Sequence, residues 1–315
     1  MRIHPSAWLL ACLLFASPAS AQLTVEVVLD QEQYLRDEPL PARVKITNRS
    51  GQTLRFGRDN QWLSLVVENI DAAVTGVVPR LTETPVIGEF DLDSAQVATR
   101  EVDLTPVFDL SQAGRYQVTA TVKIKEWDRE LTSRPRAFEI VRGTKLWEQE
   151  FGIPRENGAP ESRRYILQQA SYRKQLRLYL RVADASDQHV FNVFSCGPIV
   201  SFSAPEAQVD RSGFLNVLFQ TGARSFLFYF ISPEGRIALR QSYDYAATRP
   251  TLRANDDGRV FVAGGVRRLS TTDLPPPLST TYTNAPAATN TGTAKDRSTA
   301  TPKASSSKNA PNNRK

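Results

Sequence analysis

The sequence is poor in the residues on which many catalytic and metal sites depend. Its 315 residues contain two histidines, two cysteines and one methionine. His4 and Cys12 lie within the first 21 residues, so the rest of the chain keeps one of each, His189 and Cys196. One cysteine cannot form an internal disulfide, and one imidazole cannot build a multi-histidine zinc site. Stability must therefore come from hydrophobic cores.

Neither remaining residue has a sequence context typical of chemistry. His189 follows a turn at the start of a strand pattern, which predicts a partly exposed residue at a strand end. Cys196, two residues after Phe194, is interpreted as a small buried apolar side chain. A Ser-His-Asp or Cys-His centre would need this one imidazole. We therefore assign no catalytic, cofactor-binding or metal-binding residue and expect no enzyme and no cofactor.

Long hydrophobic runs are also missing after residue 21. The densest stretch, Phe226–Ile231, is strand-sized, whereas a membrane-spanning helix needs about 20 residues. At the amino terminus, Arg2 precedes an apolar run over residues 7–16, a Ser-Pro break and a small-residue cleavage site at residues 19–21. This pattern predicts a signal peptide over residues 1–21. The mature protein is then periplasmic or extracellular and not transmembrane; the alternative is a lipoprotein acylated at Cys12.

The chain has a formal net charge of +6, but the excess is confined to its end. Six basic and two acidic residues lie from residue 270 onward. The body, residues 22–269, carries 32 basic and 31 acidic residues and is essentially neutral. This balance argues against a nucleic-acid-binding surface on the folded part.

Residues 22–142 are dominated by short runs of alternating apolar and polar residues. Such runs, without a long helical pattern, predict an antiparallel β-sandwich. The predicted strands are Leu23–Leu29, Ala42–Thr47, Trp62–Glu68, Val97–Leu104, Tyr116–Ile124 and Ala137–Val141. Trp62 and Trp127 are interpreted as packing residues of this domain.

Two turns in this region resemble those of a known family. Gly114-Arg115-Tyr116, opening an alternating strand, resembles the tyrosine corner of immunoglobulin-like domains, in which the tyrosine hydroxyl bonds to the upstream backbone. Residues 47–51, Thr-Asn-Arg-Ser-Gly, are similar to turns of bacterial secreted immunoglobulin-like domains, some of which belong to a proteinase-inhibitor-like group. The resemblance implies an immunoglobulin-like sandwich over residues 22–142, and protease inhibition as one function.

Residues 143–164 differ in composition from their neighbours. They contain two glycines and two prolines close together at positions 152–160 and predict an interdomain linker. Trp147 and Phe151 are four residues apart, so we expect a short helical turn over Leu146–Phe151.

A repeat organises residues 165–269. Pro205–Gly213 aligns with Pro250–Gly258 at an offset of 45 residues, and in each copy an Asp/Asn-to-Gly turn precedes an apolar strand. Ser232–Arg236 and Asn255–Arg259 are the strongest hairpin turns. The spacing resembles two four-stranded blades of a β-propeller, although a propeller needs about four to eight. Either the sheets pack within the chain, or several chains share a ring.

Residues 270–315 are rich in proline, threonine, serine and alanine, which predicts a disordered basic tail. Such a tail could contact an anionic surface electrostatically. Gly264-Gly265 precedes it and is not interpreted as a phosphate-binding loop, because no helix start follows.

We therefore expect an all-β, exported, non-enzymatic binding or scaffolding protein whose partner is a protein or glycan of the envelope. One alternative is a secreted protease inhibitor. Another is a carboxylate-dependent hydrolase of envelope glycans, because paired acids need no histidine. The nearest acidic pairs, Asp91 with Asp93 and Asp256 with Asp257, are interpreted as turn-forming residues.

Overall fold

The computed structural model describes residues 23–59, 61–71, 76–83, 88–153 and 161–275, and the regular secondary structure of these residues is β-strand except for one 3-10 turn. The predicted signal peptide with Cys12, and the predicted tail from residue 276, lie outside the described residues. Every pairing between the described strands is antiparallel, except for one parallel pair. Among the residues described, no helix has the length and apolarity needed to cross a membrane.

The first half of the chain, to residue 141, forms eleven strands within its described residues. They are β1 (Leu23–Leu29), β2 (Gln33–Leu35), β3 (Pro41–Asn48), β4 (Leu54–Phe56), β5 (Leu63–Asn69), β6 (Gly76–Val77), β7 (Phe90–Leu92), β8 (Val97–Asp103), β9 (Gly114–Ile124), β10 (Arg129–Thr132) and β11 (Arg136–Val141). One sheet has the order β1-β3-β8, a second has the order β2-β11-β9-β5-β6 with β10 beside β9, and β4 pairs with β7 in a two-stranded sheet. A single 3-10 turn spans Lys125–Trp127.

The three-stranded and the six-stranded sheet enclose one core, because buried and more exposed residues alternate along their long strands. Every second residue of β3 and β9 is buried, as the two-residue period of a strand requires. Val44, Ile46, Leu65 and Val118 are fully buried in this core. The six predicted strands are confirmed within one or two residues of their ends.

The hydroxyl of Tyr116 forms the hydrogen bond to the upstream backbone that was expected of it. The Tyr116 hydroxyl donates to the backbone oxygen of Gln112 at 2.7 Å. The ring is buried and stacks on Phe138, with 5.6 Å between ring centroids. The hydrogen bond therefore satisfies a buried hydroxyl at the start of β9.

The second half forms eleven further strands in the part that the structure describes. They are β12 (Thr144–Ile153), β13 (Glu161–Tyr172), β14 (Gln175–Asp184), β15 (Val190–Pro198), β16 (Glu206–Val209), β17 (Leu215–Gln220), β18 (Ser225–Ile231), β19 (Ile237–Asp244), β20 (Thr251–Ala254), β21 (Val260–Ala263) and β22 (Val266–Arg268). Strands β12 to β15 form a four-stranded sheet in chain order, β16 to β19 with β22 form a five-stranded sheet, and β20 pairs with β21 alone.

The helical turn expected over Leu146–Phe151 is wrong. These residues belong to β12, which pairs along its length with β13. Trp147 and Phe151 are four residues apart, and an even spacing also places two side chains on one face of a strand. Both rings pack in the core of the second half, so the segment predicted as linker contributes a strand.

The three strongest turns of the second half share one geometry. Gly213, Gly235 and Gly258 have φ of +79°, +78° and +78°, a conformation that favours glycine. Each glycine N–H donates to the carbonyl three residues earlier. The predicted hairpin turns at residues 232–236 and 255–259 are therefore confirmed.

The sheets of the second half stack face to face. One core lies between the four- and five-stranded sheets, and a second lies between the five-stranded sheet and the β20–β21 hairpin. Strand β18 supplies side chains to both, Tyr229 to the first and Phe228 to the second, which confirms that it is a central covered strand. The described strands do not close into a propeller.

Reciprocal tyrosine hydrogen bonds join the two larger sheets. Tyr165 of β13 donates to the carbonyl of Gly213 at 2.8 Å, and Tyr229 of β18 donates to the carbonyl of Cys196 at 2.8 Å. Burial raises the pKa of both phenols, that of Tyr229 to about 12.

The prediction that the tail begins at residue 270 is wrong by a few residues. Residues 270–275 lie against β19, where Arg240 and Leu274 exchange backbone hydrogen bonds. Asp273 is 2% exposed and forms an ion pair with Arg267 at 2.9 Å. A low-hydrophobicity segment is held here by backbone pairing and one buried ion pair, which composition does not reveal.

Candidate functional site

The two halves of the chain meet in a small apolar contact. Leu35 of β2 packs with Ala170, Tyr179 and Val193 on the outer face of the four-stranded sheet. Gly143 lies beside this contact, where a Cβ atom would come within 2.9 Å of the Gln168 Cβ. The close approach therefore requires glycine, and the connection between the halves is short and tightly packed.

A buried arginine crosses the same junction. The Arg181 side chain, on β14, is 6% exposed, and its Nη2 lies 3.1 Å from Asp187 Oδ1. Its Nη1 forms a second ion pair with Asp37, 144 residues away in the first half. Asp37 and Asp187 both have positive φ, a backbone conformation that aspartate tolerates better than most residues. Two turns therefore hold one guanidinium from opposite sides.

An open cleft of about 440 Å³ lies over this arginine. Its lining includes five cationic and two acidic side chains, which are Arg36, Arg142, Lys145, Arg164, Arg181, Glu148 and Asp187. Residues of both halves contribute, as is common for ligand sites at domain interfaces. We call it the junction cleft.

Ion pairs order some of these cations. Glu148 accepts hydrogen bonds from Lys145 at 2.5 Å and from Arg164 at 2.9 Å, and Lys145 is the main cause of the lowered pKa of this carboxyl. Arg36 Nε lies 3.4 Å from Asp37 Oδ2, so these two side chains also form an ion pair. Within the described part of the chain, Arg142 has no ion pair. The mouth of the junction cleft therefore presents one uncompensated guanidinium beside several positioned ones, an arrangement suited to a carboxylate, sulfate or phosphate group.

A second cleft, of about 510 Å³, lies at one end of the first half. It is lined by four cations and two acids, which are Arg55, Arg58, Lys123, Lys125, Asp59 and Glu126. Arg58 pairs with Glu89 at 2.8 Å, and Lys125 pairs with Asp59 and lowers the pKa of that carboxyl. Because most of these charges are compensated by exposed partners, this cleft is the weaker candidate.

The aromatic rings behind the second cleft are structural. Phe56 and Trp62 are 1% and 5% exposed, and both contact Phe90 with centroid distances of 5.3 and 5.5 Å. Trp62 is a core residue, as predicted, and Trp127 packs against the same core.

The residues considered from the sequence do not come together. Cys196 is buried, and burial raises the pKa of its thiol to about 12. His189 is exposed in the turn before β15, in edge contact with Phe191. Among the described residues, no group of three or more histidine, cysteine or acidic side chains is placed to hold a metal ion.

The two acidic pairs considered from the sequence stabilise local structure. Asp91 is in β7, beside Arg55 at 3.6 Å, and Asp93 accepts a hydrogen bond from Thr53 at 2.8 Å. Asp256 and Asp257 occupy the exposed turn before Gly258.

Sequence reasoning missed the junction cleft. Arg181 interrupts a run of apolar residues, Leu178 to Val182, and is buried together with them. A charged residue within a buried strand needs a partner, and this is the one signal by which Arg181 could have been found.

Comparisons with known proteins supply no family. No family model matches the chain, and no curated protein matches it. Among solved structures, the chain is similar to the crystal structure of Spo0M, a sporulation control protein from Bacillus subtilis. The identity is 8% and the TM-score 0.26, over 78% of this chain and 91% of that chain. The comparisons thus name neither a secreted immunoglobulin-like, proteinase-inhibitor-like group nor a β-propeller, and the resemblance inferred from the turns at Thr47–Gly51 and Tyr116 is wrong.

Proposed function

We propose that this chain is an exported, non-enzymatic binding or scaffolding protein of the cell envelope or extracellular space, and that its junction cleft binds an anionic group of a protein or glycan. The observation that supports this proposal is the cleft lining, in which five cations, the buried Arg181 among them, outnumber two acids.

The arrangement favours binding because its floor is fixed. Arg181 is held from both halves by carboxylates, and the neighbouring apolar contact fixes their separation. A preformed site loses little conformational entropy when a ligand binds. The exposed side chains of Arg36 and Arg142 then supply donors that an anion can approach from solvent.

The ligand class follows from the donors. Guanidinium groups bind the oxygen pairs of carboxylates, sulfates and phosphates in a bidentate manner. An acidic glycan or an acidic protein segment carries such groups, and the width of an open cleft suits a polymer better than an enclosed small molecule.

Binding to polyanions tests this proposal. The purified protein would be titrated with heparin, polygalacturonate and poly-L-glutamate, with neutral dextran as the uncharged control. We expect binding of at least one acidic polymer that weakens as salt is added. The double variant Arg36→Gln/Arg142→Gln should lose about tenfold in affinity, equivalent to ~1.4 kcal/mol.

A matched control comes from the second cleft. The double variant Arg55→Gln/Arg58→Gln removes the same net charge from the same protein, so it should leave the affinity nearly unchanged. Equal losses for the two double variants would show that net charge alone attracts the polymer. Absence of binding to all three acidic polymers would contradict the proposal.

Export is tested separately. The amino-terminal segment supports it, and expression in a bacterial host with cell fractionation should give a product that begins at Gln22 in the periplasm or medium. Retention in the cytoplasm with Met1 intact would contradict it.

A further inference from the structure

The repeat ends in an unpaired strand edge. The β20–β21 hairpin corresponds, 45 residues later, to the β16–β17 hairpin, and in both the same kind of glycine turn connects the two strands. In the earlier copy β17 continues into pairing with β18, where Leu215 and Val217 face Ile231 and Tyr229. The residues equivalent to Leu215 and Val217 are Val260 and Val262. No described strand pairs with β21 on that side.

The hydrogen-bond register shows which backbone groups face outward. Asn255 N–H donates to the carbonyl of Arg259 at 3.0 Å, and Arg253 pairs with Phe261 two residues further along the hairpin. Because alternate residues of an antiparallel strand direct their N–H and C=O groups to opposite sides, those of Val260 and Val262 point away from β20.

The other edge of the hairpin is protected. Leu252 N–H of β20 donates to Glu206 Oε2 at 2.7 Å, so a carboxylate caps the outward donor there. The described contacts include no such cap for Val262. Exposed edges normally carry charges, prolines or bulges that prevent pairing, and the sequence Val-Phe-Val-Ala of β21 carries none of these.

We propose that β21 pairs with β21 of a second copy of this chain, antiparallel about a two-fold axis. The outward groups of Val260 then bond those of Val262 in the partner copy, and Phe261 faces its own equivalent on the axis as a non-hydrogen-bonded pair. Phe261 is 47% exposed in the single chain, and aromatic side chains directly opposite each other stabilise paired strands. The two hairpins become one four-stranded sheet, with as many strands as β12–β15 but shorter ones.

A second copy fits this edge because the strand is complementary to itself. In the register centred on Phe261, Arg259 lies opposite Ala263, so no like charges face each other. Asp256 and Asp257 before the strand have no ion pair in the described part of the chain, whereas Arg267 and Arg268 after it already pair with Asp273 and Asp244. A second copy therefore fits through the register: the outward N–H and C=O groups of Val260 meet those of Val262 in the other copy, and Phe261 lies beside its own equivalent. An unrelated peptide would have to supply an apolar strand that matches this register.

Sedimentation velocity over a concentration series tests the proposal on the full chain. Wild type is expected to reach the mass of a dimer. Val262→Pro removes the outward N–H without removing a bond to β20, and it should keep the mass of a monomer. Val262→Thr retains the N–H and a branched side chain, and it should dimerise like wild type.

A charge variant gives an independent readout. Phe261→Lys places two like charges on the axis and should abolish dimerisation, whereas Val97→Lys changes a residue of similar exposure, 50%, on β8 and should not. Thermal unfolding of each variant shows that loss of the dimer is not loss of folding. A wild-type protein that stays monomeric at every concentration overturns the proposal, as does a Val262→Pro variant that dimerises like Val262→Thr.

The register is tested by a disulfide. Facing residues of a non-hydrogen-bonded pair have Cα atoms about 4.5 Å apart, within the range that a disulfide spans. Phe261→Cys should therefore form a covalent dimer on mild oxidation, and Arg259→Cys, which faces Ala263, should not. Cys196 is buried and its thiol pKa is raised to about 12, so it does not compete. Equal cross-linking of both variants would overturn the register.

Discussion

Replacing Arg181 with methionine should weaken the junction measurably. Methionine keeps most of the buried volume of the side chain and removes the guanidinium, so the loss reports the ion pairs to Asp37 and Asp187. A hydrogen bond to a charged group contributes about 1.5–3 kcal/mol when its partner is left buried. Because the two aspartate side chains are 27% and 43% exposed, water can replace the lost partner in part. We therefore expect the free energy of unfolding to fall by about 2 kcal/mol, towards the lower part of that range.

The assay is equilibrium unfolding in urea, with Arg36→Met as the matched control. The Arg36 side chain is 48% exposed and lies 3.4 Å from the same Asp37, so its replacement should cost no more than about 1 kcal/mol, as for other surface ion pairs. Added salt should reduce the loss in free energy of unfolding caused by Arg36→Met more than the loss caused by Arg181→Met, because salt screens buried ion pairs less than exposed ones. Equal losses for the two variants would refute the inference that Arg181 fixes the junction.

Three further predictions concern the second half. Tyr165→Phe removes a fully buried hydroxyl that donates to the carbonyl of Gly213, and it should lower the free energy of unfolding by about 1–2 kcal/mol. Tyr245→Phe, at a residue that is 41% exposed, should change the free energy of unfolding little. Equal effects of the two variants in urea unfolding would contradict the contribution of the Tyr165 hydrogen bond. Burial raises the pKa of Tyr179 and Tyr229 to about 12, so these phenols stay protonated in the folded protein above the pH at which they ionise in the unfolded chain. Stability is then retained below pH 10 and falls between about pH 10 and pH 12, by about 1.4 kcal/mol per pH unit per phenol. The part of the tyrosine absorbance increase that belongs to these two phenols should accompany unfolding rather than precede it during alkaline titration. Gly258→Ala places a side chain on a residue with φ of +78° and should lower the free energy of unfolding by about 1–2 kcal/mol. Gly76→Ala, where no atom lies within 4 Å of an added Cβ, should lower it little. A Gly258→Ala variant as stable as wild type in thermal unfolding would contradict the assigned turn.

The long strands of the first half could be predicted because their pattern is physical. Each buries alternate residues against the opposite sheet, and seven to eleven residues display that period clearly. Strands β2, β4, β6, β7 and β10 have two to four residues, too few to show it, and were missed. The helical turn at Leu146–Phe151 failed for a related reason, since two aromatic residues four apart satisfy a strand as well as a helix.

The junction cleft could not be predicted because its parts are distant in the chain. Asp37 and Arg181 are 144 residues apart, and neither stands in a motif. Their contact depends on how β2 lies against the four-stranded sheet, which the packing of Leu35 on Tyr179 decides. Local patterns in the sequence predict strands that carry Asp37 and Arg181 or lie next to them. They do not predict which side chains of the two halves come into contact.

The repeat shows where local chemistry stops deciding the fold. The turns ending in Gly213 and Gly258 form alike because each needs only an acidic or amide residue, a few residues of turn and a glycine at positive φ. The two copies diverge once the strand after each turn has ended. After β17 the chain turns at residues 221–224 into β18, whereas after β21 Gly264 and Gly265, at φ of +74° and +64°, turn it back so that β22 pairs with β19. A Cβ atom at Gly265 would come within 2.5 Å of Pro250, so this return depends on glycine. The same two glycines that end the repeat within one chain therefore leave β21 without its third strand.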